Sequence, residues 1–278
     1  MTTTARVATD RDTEDPAQSE GTLRAWAVQS MVLTGRQVLV LFRDRATVLQ
    51  ILVVPALTMV MFKVVLGDAI GSATGSNSAY GTVPLVILVS AMFGSIASGV
   101  RLNQERATGL LGRLYVLPIN RAADLTSRLG CEVVRIVITS VLLLIAGLGI
   151  GFRFTQGPLA VLGILGVALL FGLAFSTFVL TVSVSTRPSV TLVPLLSLFS
   201  SVLMFFNSGF SPVDAYPAWL QPIVENQPMT PAIEVMRAMA SGGPITANLI
   251  KVIIWTVVVV VICAVPALRG YRKAATAR

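Results

Sequence analysis

The chain of 278 residues is 54% hydrophobic and 12% charged, with a mean hydropathy of +0.81. So few polar side chains cannot cover a soluble fold of this length, and the composition points to an integral membrane protein. The net charge of +8 lies beside apolar runs and forms no patch interleaved with aromatic residues, which argues against nucleic acid and for membrane topology.

The first 21 residues, MTTTARVATDRDTEDPAQSEG, are polar and partly acidic and lack the apolar core of a signal peptide. They predict a disordered cytoplasmic tail, followed by one transmembrane domain over residues 22–278. The stretch LRAWAVQSMVLTGRQVLVLF then shows helical periodicity, with Val28, Met31, Val32, Leu39 and Phe42 in one stripe and Gln29, Ser30, Arg36 and Gln37 opposite. Trp26 and Leu33 interrupt the polar side. One reading is a helix lying in the inner interface, with Trp26, Met31, Arg36 and Arg43 at the level of the headgroups. The other is a plain extension of the first span.

A span takes about 20 mostly apolar residues. Six segments qualify, at about 46–66, 83–100, 129–151, 159–182, 189–209 and 247–268. The predicted fold is therefore all-α with six transmembrane helices. Arg24, Arg36, Arg43 and Arg45 precede the first span, five arginines from Arg101 to Arg128 lie between the second and third, and Arg269, Arg272, Lys273 and Arg278 follow the sixth. Arginine is scarce in the alternate loops, so the pattern predicts both termini in the cytoplasm of a plasma (inner) membrane protein. Lys63 and Lys251 stand at the outer ends of spans one and six and are expected to snorkel.

Span two carries Ser90, Gly94 and Ser98 at four-residue spacing, a small face suited to close helix contact. After it comes ERATGLLGRLYVLPINR, dense in charge. Ala107, Leu110, Leu111, Leu114 and Leu117 line one side at 100° per residue, whereas Glu105, Gly109, Gly112 and Arg113 lie on the other and Arg106 near the boundary. Pro118 ends the helix. This predicts a short cytoplasmic helix with its apolar side on the bundle and its charged side available to a partner's groove; a merely solvated loop is the alternative.

In span three, Glu132 and Arg135 stand three residues apart on one face, as a local ion pair or, alternatively, a substrate contact. Cys131 and Cys263 fall in apolar runs and read as buried thiols. Span five offers Ser197, Ser201, Met204 and Phe205 as residues of a lipid-like path, though ordinary transmembrane packing would use the same residue types. Ser208–Gly243 is too polar to span and is cut by prolines. Thr230 and Pro231 read there as N-cap and first residue of a helix, and Gly242 as its end. With Tyr216, Trp219, Met236, Arg237 and Met239, the segment is expected to form short re-entrant helices capping the bundle and dipping partly into the outer leaflet.

These elements, in this order around six spans, resemble the permease subunits of ABC-2-type exporters of the daunorubicin/doxorubicin-resistance type, including mycobacterial permeases for phthiocerol dimycocerosate lipids. The resemblance rests on ERATGLLGRLYVLPINRAADLTSR, GFRFTQG and YPAWLQPIVENQPMTPAIEVMRAMASGGP and runs from about residue 22 onward. It implies an ATP-driven exporter of a hydrophobic drug or complex lipid. Two permease chains, identical or homologous, would pair in the lipid bilayer above two ATPase subunits that bind ATP and Mg. It also implies that Glu105–Pro118 is the coupling helix, the N-terminal helix a second ATPase contact and Ser208–Gly243 the outer gate.

The residues agree with that division of labour. No G-x-x-x-x-G-K-[ST] motif occurs, and no lysine follows a glycine anywhere in the chain, so any ATP must be cradled by another one. An embedded enzyme or an ion-coupled secondary transporter would need clustered ionisable groups, whereas Glu132 is the only acid inside the expected spans. A scaffold or channel subunit acting without an ATPase is the remaining alternative.

Overall fold

The computed structural model describes residues 23–75, 77–109, 121–186 and 193–276. Nine α-helices are seen among them: α1 Leu23–Arg43, α2 Arg45–Thr74, α3 Ala79–Ala107, α4 Arg121–Gly149, α5 Leu159–Ser185, α6 Val193–Phe205, α7 Gln221–Asn226, α8 Met229–Ser241 and α9 Thr246–Thr276. The described residues include no strand. An all-helical chain satisfies its backbone within each segment, which hydrocarbon surroundings demand.

The centre of the bundle is α3, packed on α2, α4, α5, α6 and α8; α5 packs in turn on α4, α8 and α9. Seventeen of the 29 residues of α3 are buried, against a thin buried share for α2 and α9, whose outward faces carry Val, Leu and Ile. In a bilayer those faces meet lipid at no cost.

Six described helices are long and apolar enough to cross a membrane: α1, and segments of α2, α3, α4, α5 and α9. Five match expected spans. Of the fifth expected span, 189–209, the described residues give α6, and residues 187–192 lie outside the described set. α1 is the other helix that meets the length and apolarity limits. The spans also run longer than expected. Asp68 lies on α2, Glu105 on α3 and Asp124 on α4, so Glu132 is not the only acid carried by a long apolar helix.

The orientation of α1 is inverted relative to a helix on a soluble core. Its polar stripe faces the protein: Ser30 Oγ lies 2.8 Å from Thr126 Oγ1, and Gln37 Nε2 donates to Ser127 Oγ at 2.9 Å. Its apolar stripe, with Met31 77% and Val32 67% exposed, faces outward. An outward apolar face beside Arg36 and Arg43, both exposed, suits a helix against lipid.

α8 packs on α3, α5 and α9 near the end of the bundle where α3 and α5 begin, with Met229–Ile233, Val235, Met236, Ala238 and Ala240 buried. It begins at Met229 with Pro228 as N-cap, two residues earlier than Thr230–Pro231 suggested, and ends as expected at Gly242, φ 91°. The small residues Ala232, Ala238 and Ala240 let it sit close among its neighbours.

Candidate functional site

Two regions at opposite ends of the bundle carry the chemistry. The first surrounds the connector between α3 and α4. Glu105 and Arg106 are the last turn of α3, and the chain leaves the helix at Thr108 with Gly109 at φ 73°. A left-handed residue there ends α3. Leu110, Leu111, Arg113, Leu114, Leu117 and Pro118 lie outside the described residues.

Both stems of the connector are pinned. Arg128 Nη2 donates to Glu105 Oε2 at 2.6 Å and its Nε to Asp124 Oδ2 at 2.9 Å, which ties the end of α3 to the start of α4. Arg106 Nη1 donates to the carbonyls of Ser183 and, at 2.9 Å, Thr186, capping the last turn of α5. Cationic donors on unsatisfied C-terminal carbonyls also oppose the helix dipole. Arg101 lies 3.9 Å from Asp44 at the α1–α2 corner, an exposed and weak pair. Glu105 and Arg106, expected to face a partner, are half-buried and also bonded within the chain.

One helical turn deeper, Glu132 and Arg135 form the expected ion pair, 2% and 4% exposed. Ser98 and Ser95 donate to Glu132, while Arg135 donates to the carbonyls of Ser90 (3.3 Å) and Ala91 (3.1 Å). The guanidinium lies over Gly94, where a Cβ would collide with it. The small face of Ser90, Gly94 and Ser98 is therefore a cradle for this pair, and a buried pair persists when its remaining donors and acceptors are met in this way. A cavity of about 110 Å³ between α1, α3 and α4 joins Arg36, Glu105, Arg128, Glu132 and Arg135.

The second region lies at the α7–α8 end. Asn207, fully buried, caps α6: its Nδ2 donates to Leu203 O at 3.1 Å and its Oδ1 accepts from Gly209 N at 2.7 Å. Tyr216 OH donates to Asn207 O at 3.0 Å, and Arg237 Nη2 to Ser208 O at 2.8 Å while Nη1 pairs with Glu234 at 2.9 Å. Burial pushes the Tyr216 phenol above its usual range, so it stays a donor. Of the expected gate residues, Tyr216 and Arg237 brace the turn after α6, Met236 is core, Met239 packs over Gly163 and Trp219 is exposed. Lys63 and Lys251 do not merely snorkel: Lys63 Nζ donates to Asn77 Oδ1 at 3.0 Å, and Lys251 pairs with Glu225 at 2.9 Å.

Between α5, α6, α7 and α9 lies an apolar cavity of about 500 Å³, walled by Phe171, Phe175, Phe178, Phe199, Leu203 and Trp255 among others. Ser197, Ser201, Met204 and Phe205 are not in its wall; Ser201 Oγ instead donates to its own helix at Ser197 O, 2.8 Å. The sequence pointed to α6 but to a neighbouring face. The missed signal was F-x-x-x-F-x-x-F at 171–178, one stripe on α5. Asn207 was missed as well, although N-S-G after an apolar run signals a helix end.

The family profile described as ABC-2 type transporter matches residues 28–240. A probable doxorubicin resistance ABC transporter permease protein, DrrC, of Mycobacterium tuberculosis is 37% identical over 258 residues, 93% of each chain. The doxorubicin resistance ABC transporter permease protein DrrB of the same organism is 29% identical over 79% of this chain and 81% of its own. The daunorubicin resistance ABC transporter permease protein DrrB1 of Streptomyces coeruleorubidus is 27% identical over 70% of this chain and 68% of its own. With six helices able to cross a bilayer, no phosphate-binding loop of its own and this likeness along nearly its full length, the chain belongs to the ABC-2 type transporter family and is a multi-pass membrane permease.

Proposed function

We propose that this permease moves a hydrophobic drug or complex lipid outward from the cytoplasmic side, driven by two copies of a separate ATPase that bind ATP and Mg. The relatives named for doxorubicin and daunorubicin resistance support the drug class. A second permease chain, identical or homologous, completes the membrane part. The chain lies in the inner membrane with both termini cytoplasmic, so the connector after α3 faces the ATPase and α1 lies in the adjoining interface.

The observation that carries this reading is the pinning of both connector stems. A push on residues 108–120 cannot be absorbed at the hinges, because Glu105–Arg128 fixes one stem to the other and Arg106 fixes α3 to α5. It passes to α3, the most buried of the six helices able to cross a membrane. An ion-coupled mechanism finds less support, since Glu132 is held by Arg135, Ser95 and Ser98.

Because Arg106 has an internal role, the docking test uses Arg113→Glu with Leu110→Asp and Leu114→Asp. Co-purification of the ATPase should be lost with Arg113→Glu, and transport should be abolished with the leucine pair at unchanged expression. Retention of both ATPase and transport in all variants overturns the assignment.

A further inference from the structure

We infer that the phenylalanine-walled cavity at the α7–α8 end is a binding site for a long alkyl chain. The inference stands apart from the exporter reading and needs no ATPase.

The side-chain donors at its wall are already engaged. Trp255 Nε1 donates to Asn226 O at 2.8 Å, Asn226 Nδ2 to Pro222 O at 3.0 Å and Thr256 Oγ1 to Leu170 O at 3.4 Å, while Gln227 Nε2 serves Phe206 O and Thr230 Oγ1. No charged side chain lines the space, and its wall is predominantly apolar. A charged ligand would therefore lose its hydration without replacement.

Water fares no better, since it needs two to four polar partners. A half-open apolar space of about 500 Å³ gains dispersion contact along its walls only from an apolar occupant. What satisfies this space is hydrocarbon, and the volume is that of a ligand site and not a packing defect.

The walls provide for it. Phe175 stacks near-parallel with Phe171 and Phe199 at centroid distances of 6.4 and 6.5 Å, and Phe178 tilts against both Phe175 and Phe199. The rings bridge α5 and α6 while leaving the space between α6 and α9 open. Phe199, Ile223 and Trp255 are 44%, 60% and 38% exposed at the mouth. Lys251, paired with Glu225, lies one turn before Trp255 on α9, and the run from Val257 to Val261 continues away from it. Lys and Trp at one end of an apolar helix mark headgroup depth. An alkyl chain can thus enter with its polar head beside Lys251 and its tail along the phenylalanines. Its source is either a bilayer lipid or a chain-bearing cargo.

The test uses the full chain with Trp26→Phe and Trp219→Phe, leaving Trp255 as the sole reporter, in vesicles containing phosphatidylcholine brominated in its acyl chain. Saturable quenching at low brominated fraction is expected, and its loss in Ala174→Phe and in Val259→Phe, which fill the cavity from α5 and α9. Either variant suffices if the other does not fold. Unbrominated phosphatidylcholine restoring the fluorescence identifies a resident lipid; restoration by a single-chain alkyl amphiphile alone identifies a cargo-type chain. Quenching that rises linearly with brominated lipid, equally in the filled variants, overturns the site. So does self-cross-linking of Phe199→Cys, which would put a second copy of this chain at the mouth.

Discussion

Arg135 shows how a charge survives in an apolar helix. Its guanidinium meets Glu132 and two backbone carbonyls above a glycine that leaves it room. Removing one partner strands the other, a cost of about 3–5 kcal/mol, whereas removing both with apolar residues is often neutral. Arg135→Met should therefore sharply lower the melting temperature in detergent, and Glu132→Met with Arg135→Met should recover most of the loss. If the double variant melts no higher than the single, the pair does more than satisfy itself. Gly94→Val should cost about 1–3 kcal/mol by overpacking, measured in the same way.

At the scale of elements, the joints matter more than the rods. Arg106 holds the last turn of α5, Arg128 holds α3 to α4, and Asn207 with Tyr216 and Arg237 holds the turn after α6. The arginine bonds among these are charge-assisted and contribute about 1.5–3 kcal/mol when partly buried. Arg106→Gln should speed amide exchange in residues 182–186 by about tenfold, the equivalent of ~1.4 kcal/mol, and leave α9 unchanged. Equal change in both helices would mean the bundle as a whole had loosened.

Across the whole molecule, the bundle is asymmetric: a charged end at the connector and a braced, aromatic-lined end at α7 and α8. The proposed orientation predicts that, with Cys131→Ser and Cys263→Ala, a cysteine at the exposed Thr108 reacts with an impermeant maleimide only from the cytoplasmic face. A cysteine at the exposed Ser241 should react only from the outer face. Labelling of both from one side would overturn the orientation.

The sequence by itself determined the class and the helices. Runs of Val, Leu and Ile longer than a bilayer demands admit only helices, and Glu132 with Arg135 three residues on admits a local pair. Those are short-range facts, set by hydropathy and helical spacing. Where Ser208–Gly243 goes was decided only by the tertiary structure. A proline-cut segment too polar to span reads as short helices capping the bundle, and only the fold shows that α8 rests on α3, α5 and α9 with its small and apolar residues buried. The same holds for Glu105 and Arg106, whose partners Arg128 and Ser183 lie 23 and 77 residues away. Long-range partners leave no periodic trace in a single chain, and which side of a helix a charge serves is settled by what the fold brings against it.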